Sequence, residues 1–291
     1  MHPIPIAVIG GSGVYNMEGL TETEEKRITT PFGDTSDVLR IGNLSNRRVA
    51  FLPRHGRQHH LLPSEIPHRA NIWALKSLGV RWIISLSAVG SLKEKIQPRH
   101  FVFPDQFMDR TKNRDEHTFF GKGIVAHVSF GTPVCPRLST VLFQAATAAG
   151  AVSHWGGTYV NMEGPAFSTR AESEFHRRQG FDVVGMTNLA EAKLAREAEI
   201  SYATVAMVTD YDCWHSEEAE VNVADVVRVL HDNATLASRT VALAVAQIPV
   251  HESTAAHRAL DTALITPRDA WPVETLEKLR PLLARFTACP L

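Results

Sequence analysis

Tyr202-Ala203-Thr204-Val205-Ala206-Met207-Val208-Thr209-Asp210-Tyr211-Asp212-Cys213-Trp214 is the stretch on which the reading of this chain turns. Residues 202–208 form an apolar strand that ends in two carboxylates one residue apart. Side chains alternate faces along a strand, so Asp210 and Asp212 are expected to share one face. Two acceptors converging at a strand end can read the donors of a purine ring. They can equally ligate a metal or punctuate a turn, for which Asp is well suited. The stretch alone leaves all three open.

Working outward, residues 183–187 give a short strand that runs into Met186-Thr187-Asn188-Leu189 and a helix over 190–198. Downstream, Asn222 is placed to cap a long helix with Val223, Val226, Val227, Leu230, Ala234, Ala237 and Val241 on one stripe. Core packing is the ordinary reading of that face. Upstream, residues 157–162 read as a strand entering Glu163-Gly164-Pro165-Ala166-Phe167-Ser168-Thr169-Arg170. Phe167 beside Ser168 could stack on a base and bond its edge, or be a core ring next to a helix N-cap. A helix over 136–149 is bounded by Pro136 and Gly150.

The N-terminal third repeats one theme, an apolar strand delivering small or basic residues. Residues 6–9 lead to Gly10-Gly11-Ser12-Gly13, where amides and the Ser12 hydroxyl could approach an oxyanion. A glycine turn without a ligand is the other reading, since neither a dinucleotide fingerprint nor a P-loop is present. Strands at 38–41 and 48–52 form a hairpin about a polar turn at 42–46, and the second runs into Pro53-Arg54-His55-Gly56-Arg57-Gln58-His59-His60. Arg54 and His55 could clamp an anion, or belong to a solvated basic loop. Ser64 and Pro67 open a capped helix closed by Gly79, and the buried strand at 80–86 ends in a small-residue loop, Ser87-Ala88-Val89-Gly90-Ser91. Ligands of α/β sheets gather at the carboxyl ends of strands, so loops of matching chemistry there point to one site. The polar segment 109–132, with His127, suits a mobile or subunit-edge position. A final helix through Leu276, Leu279, Leu283 and Phe286 would be interrupted by Pro281.

Composition limits the partners. With 44% hydrophobic and 21% charged residues the chain is globular, and a net charge of -1 leaves no footprint for nucleic acid. No apolar run is long enough for a bilayer, and Met1-His2-Pro3-Ile4-Pro5 lacks the regions of a signal peptide, which gives an expectation of a cytoplasmic protein. Cys135, Cys213 and Cys289 are too scattered for a disulfide framework or zinc site and read as buried thiols. Fourteen histidines include no metal-binding spacing. Without repeats or linkers, residues 1–291 read as a single domain, with 248–291 a C-terminal helical tail.

Gly10-Gly11-Ser12-Gly13, Arg54-His55-Gly56-Arg57-Gln58-His59, Asn71-Ile72-Trp73-Ala74-Leu75-Lys76, the Glu163 to Arg170 octapeptide and Thr209-Asp210-Tyr211-Asp212-Cys213-Trp214, taken as an ordered set, resemble the trimeric purine nucleoside phosphorylase family. Within it they are most similar to the members acting on 5'-methylthioadenosine, over residue 6 to about residue 247. The resemblance implies an α/β fold, a central mixed and partly barrel-like β-sheet flanked by helices. It implies phosphorolysis to adenine and 5-methylthioribose 1-phosphate, with inorganic phosphate as co-substrate and no metal or organic cofactor. By the same match Ser12, Arg54, His55, Ser87, Ala88 and Thr187 would hold phosphate, and Met186 would border the ribose. Phe167 and Ser168 would contact the base, and Asp210 and Asp212 would bind adenine, Asp210 serving as catalytic acid if its pKa is raised. Val223, Val226 and Val227 would line the methylthio pocket together with His127 of a neighbouring subunit. The implied assembly is a homo-oligomer, a trimer, although hexamers occur in the family.

Members preferring 6-oxopurines typically carry Glu at the Ser168 position and Asn at the Asp210 position, so this chain has the adenine-type residues at both. Ser12 stands where a threonine is expected, and Asn188-Leu189-Ala190 replaces Thr-Val-Pro, which bears on the ribose side and on tolerance for adenosine. Two other readings are a broader purine nucleoside phosphorylase, using adenosine or methylthioinosine, and a non-catalytic nucleoside-binding module. The second would be expected to have lost the Arg54-His55 pair or an aspartate, and neither is lost.

Overall fold

A computed structural model describes residues 4–10, 19–113, 115–215 and 222–287. Ser12, the glycines beside it and Cys289 lie outside these residues. The chain begins with β1 (Ile6–Gly10), β2 (Thr21–Lys26), β3 (Leu39–Leu44) and β4 (Arg47–Pro53). Ser45 and Asn46, both at positive φ, join β3 to β4 in the two-residue turn whose twist matches a hairpin. The turn is shorter than expected because Gly42, Asn43 and Leu44 pair with Val49, Arg48 and Arg47. Helix α1 (His68–Ser77) starts behind Pro67 with no side-chain cap, and Ser64 lies instead in a separate 3-10 turn.

Next come β5 (Trp82–Ser91), β6 (Phe101–Phe103), β7 (Gln106–Asp109), α2 (Pro136–Ala149), β8 (Ser153–Trp155) and β9 (Thr158–Asn161). Helix α2 has the expected bounds, with Gly150 left-handed at φ 98. The expected loop at 87–91 is absent, because β5 continues through all of it. Small residues there serve close packing inside a sheet rather than a turn.

The remaining elements are α3 (Arg170–Arg178), β10 (Val183–Gly185), α4 (Asn188–Glu197), β11 (Ser201–Asp210), α5 (Val223–Gln247), α6 (Val273–Lys278) and α7 (Arg280–Thr287). Thr169, not Ser168, caps α3: its hydroxyl accepts from the Glu172 amide while Glu172 reaches back to the Thr169 amide. Helix α4 begins two residues before the expected start. Asn222 caps α5 by accepting from the Asp225 amide at 3.0 Å. Its buried stripe runs through Val229, Leu230, Asn233, Ala237 and Val241, while Val223 and Val227 are exposed. The final helix is broken at Leu279, and Pro281 then occupies the first turn of α7, where its missing N–H is harmless.

Among the described residues eleven strands form one mixed sheet, ordered β2-β3-β4-β1-β5-β10-β9-β7, with a branch from β5 through β11 and β6 to β8. The sheet branches and does not close into a barrel. Strand β5 pairs with β11 along nearly its whole length. On its other edge it pairs with β1 only from Trp82 to Ser85 and with β10 only at Gly90 and Ser91. The sheet therefore forks in the middle of β5. The carboxyl ends of β1 and β4 open into that fork, the kind of switch point at which α/β sheets hold ligands.

Alternation along the strands builds two cores. Ile6, Val8, Trp82 and Ile84 face α2 and α5, while Ala7, Ile9 and Ile83 face α1 and α4. The tail closes over the second core with Leu260, Trp271, Leu279 and Leu283. No helix among the described residues is long and apolar enough to cross a membrane.

Candidate functional site

The acidic pair terminates β11, though not by simple alternation. The β11 register slips between Val208 and Asp210, and Asp212 has left the strand, with φ 55. The Asp212 amide donates to Asp210 Oδ1 at 2.8 Å and the Thr209 hydroxyl to Oδ2 at 2.7 Å. An Asx-type turn thus brings the two carboxylates together. Their room comes from Gly90 of β5, where a Cβ would fall 2.9 Å from Asp210 Oδ1 and 3.3 Å from Asp212 Cβ.

Burial pushes the Asp210 carboxyl up to about 6, helped by the Asp212 charge and opposed by its two hydrogen bonds. Burial also raises Asp212, against the hydroxyls of Ser173 and Ser168. Neither hydroxyl makes a well-formed bond to Asp212 Oδ2, which is buried without a partner among the described residues. The Ser168 carbonyl accepts from the Cys213 thiol at 3.2 Å, so the 163–170 segment meets the acidic turn. Phe167 is exposed.

Arg54, 1% exposed, enters the fork where β4 ends. Its guanidinium is largely committed: it pairs through Nε and Nη2 with Glu191 and donates to the Leu86 carbonyl at 2.9 Å and the Ser85 hydroxyl at 2.6 Å. Ser85 and Tyr202 hydroxyls also donate to Glu191, and Asn188 Nδ2 reaches Ser85, Tyr202 and Thr204. Burial opposes charge on both ions, and their attraction outweighs it, holding the carboxyl low and the guanidinium high. Arg54, read from the sequence as an anion clamp or part of a solvated basic loop, is thus anchored by a buried ion pair. Among the described residues one Nη1 proton has no acceptor and is free to donate.

His55 Nδ1 lies 2.9 Å from the Leu61 carbonyl, an acceptor only, so Nδ1 bears the proton and Nε2 the lone pair. Burial and the Arg54 charge lower this ring to about 4. Ser87 and Thr187 both meet Tyr159, Ser87 through its hydroxyl at 3.3 Å and Thr187 through its backbone. Tyr159 is fully buried under Gly185, where a Cβ would collide with its hydroxyl at 1.9 Å. Ala88 is half-buried on the same strand as Ser87. Met186 lines a cavity of about 30 Å³ with His68, Asn161 and Glu163, and its carbonyl accepts from Asn161.

His127 stands apart. It is exposed and lines a different cavity of about 470 Å³ with Phe120, Phe130, Lys193 and Glu197. Val226 is half-buried against the first core, and its neighbours Val223 and Val227 face outward. Cys135 is buried and Cys213 half-buried.

Sequence reading did not find Glu191, Ser85, Tyr202 or Tyr159. A signal for Glu191 existed: α4 is buried on nearly every side, and a carboxylate among Leu189, Ala190, Ala192, Leu194 and Ala195 must have a partner.

The profile of the phosphorylase superfamily matches residues 5–246. The S-methyl-5'-thioadenosine phosphorylase of Chloroflexus aurantiacus is 57% identical over 286 residues, covering 98% of this chain and 99% of that one. A crystal structure of a methylthioadenosine phosphorylase from an Antarctic soil metagenomic library superposes with a TM-score of 0.92 at 49% identity, covering 97% of this chain and 99% of the other. The methylthioadenosine phosphorylase of Schistosoma mansoni in complex with adenine superposes with a TM-score of 0.84 at 37% identity, over 89% and 96% of the two chains. The chain belongs to the phosphorylase superfamily and, within it, to the S-methyl-5'-thioadenosine phosphorylase family.

Proposed function

We propose that the chain cleaves S-methyl-5'-thioadenosine by phosphorolysis, giving adenine and 5-methylthioribose 1-phosphate, a transferase reaction that serves purine and methionine salvage. The observation that carries this reading is the Asp210–Asp212 pair at the end of β11, one carboxyl raised to about 6, beside a fork that holds Arg54 and His55. A phosphate oxygen forms a bond to C1' as the bond from C1' to N9 breaks, and that electron pair passes into the purine. Protonated Asp210 gives its proton to N7 and so relieves the charge on the leaving base. Asp212, ionised, accepts from the 6-amino group. A 6-oxopurine would set an acceptor against it and leave a buried carboxylate unpaired.

Arg54 would donate its remaining Nη1 proton to phosphate, and neutral His55 would accept a phosphate O–H at Nε2. Ser12, Ser87, Ala88 and Thr187 complete the proposed cradle, Met186 the ribose wall, and Phe167 with Ser168 the base contacts. Val223, Val226 and Val227 would receive the methylthio group. The separate cavity that contains His127 supports its reaching the site of a neighbouring copy, in a homotrimer. The reaction needs no metal or organic cofactor, and its setting is the cytoplasm.

The test mixes the protein with methylthioadenosine with and without inorganic phosphate. Adenine should appear only with phosphate; phosphate-independent release would overturn the phosphorylase reading. Comparison with adenosine and methylthioinosine then ranks the bases, and equal use of the inosine analogue would remove the role given to the two aspartates.

A further inference from the structure

Near Asp212, helix α3 presents two polar side chains three residues apart, and therefore on one face, Ser173 and His176. Ser173 is fully buried and His176 is 3% exposed. The Ser173 hydroxyl, both ring nitrogens of His176 and Oδ2 of Asp212 are all buried with no hydrogen-bond partner among the described residues. Protein interiors pair nearly all their polar atoms, so several unpaired ones on facing elements call for a role. Phe175 and Phe181 flank the imidazole with ring centroids 5.9 and 6.2 Å away.

We infer that Ser173 and His176 form a positioning tier that directs the Asp212 carboxylate and keeps it ionised when a purine is bound, so that they tune the choice between 6-amino and 6-oxo bases. This rests on reading Asp212 as the acceptor for the 6-amino group. An ionised carboxylate accepts from an amino group and is opposed by an oxo group, whereas a protonated one can donate to the oxo group. Whatever holds Asp212 ionised therefore favours adenine. The charged groups that face His176 are Asp212 and Glu172, which favour its cation, and Arg110, which opposes it together with burial. Asp212 in turn is held down by the Ser173 and Ser168 hydroxyls and by His176, against burial. Asp210 lies on the other side of Asp212 and Cys213 follows it in the chain, its thiol raised by burial and by the Asp212 charge. Both residues act through Asp212 and neither is assigned contact with substrate.

The experiment compares wild type, His176→Phe, His176→Gln and Ser173→Ala on methylthioadenosine and methylthioinosine at pH 7. The ratio of the two kcat/KM values should fall about tenfold in His176→Phe, the change that one pKa unit represents. It should fall less in His176→Gln, which retains a donor, and about threefold in Ser173→Ala. An unchanged ratio in the variants beside a discriminating wild type would overturn the inference alone. A wild type that uses both substrates equally would overturn the base-recognition reading and the inference with it. If His176→Phe does not fold, the other two variants decide by the same ratio.

Discussion

Glu191→Gln should make the stability of this protein unusually dependent on phosphate. Glu191 and Arg54 are each 2% exposed at the side chain, and Arg54 has no other anionic partner among its hydrogen-bonded neighbours. Glutamine keeps the shape and one acceptor for Nε, but it removes the charge that offsets the guanidinium. Leaving one partner of a buried pair uncompensated costs about 3–5 kcal/mol. The retained acceptor and the Ser85 and Leu86 contacts should hold the loss near the lower figure. At roughly 2–4 °C per kcal/mol for a chain somewhat smaller than this one, the melting temperature without phosphate should drop by about 6–12 °C.

An anion beside Arg54 then supplies the missing charge. Saturating phosphate stabilises any state that binds it, by about 2.7 kcal/mol at a hundredfold excess over Kd. The uncompensated guanidinium should lower Kd in the variant, so the phosphate-induced rise in melting temperature should be larger than in wild type. Scanning fluorimetry across a phosphate series, at constant ionic strength, reads this directly. A variant destabilised by the same amount at every phosphate concentration would refute the argument that Arg54 addresses phosphate and would leave the pair a purely structural anchor.

Further outcomes are expected. Because Asp210 must be protonated to act as an acid and titrates at about 6, kcat/KM for methylthioadenosine should be highest below that value and fall as pH rises through it. In Asp210→Asn this limb should vanish and adenine substrates should lose more than 6-oxo ones; an identical limb in the variant would assign it to another group. Gly90→Ala should press on Asp210 Oδ1 and Asp212 Cβ, raising KM for the nucleoside and lowering stability by about 1–3 kcal/mol, whereas unchanged KM would mean the carboxylates do not depend on that approach. Thr169→Ala should lose the α3 cap, worth about 1 kcal/mol, and Ser168→Ala should not; equal melting temperatures for the two would contradict the capping assignment.

The legible parts of the fold were those fixed by local chemistry. Pro136 and Gly150 bound α2 because one cannot continue a helix backward and the other tolerates the left-handed end. Asn222 likewise marks the start of α5. The run at 87–91 was misread because small residues suit a loop and a tightly packed strand equally well, and only the neighbour distinguishes them: here the carboxylates pressed against Gly90. Asp212 could not be placed by strand periodicity once the register slipped at Asp210. Arg54 and His55 were visible as candidates, yet the carboxylate that holds Arg54 lies 137 residues away, a pairing no local pattern encodes. Ser168 and Thr169 are both good caps, and the choice fell to Thr169 because Glu172 stands three positions on.

The divided edge of β5 has a consequence for the order in which the protein can be made. Its partner β1 leaves the ribosome before it, whereas β10 and β11 follow about a hundred residues after β5 itself. Until Ser201–Asp210 has emerged, nearly the full length of one β5 edge is an open template of unpaired amides and carbonyls on an apolar strand. A nascent chain stalled before residue 201, or a truncated product, is therefore expected to pair with other strands and aggregate. Ribosome-bound or truncated fragments ending before and after β11 should differ sharply in solubility at that boundary.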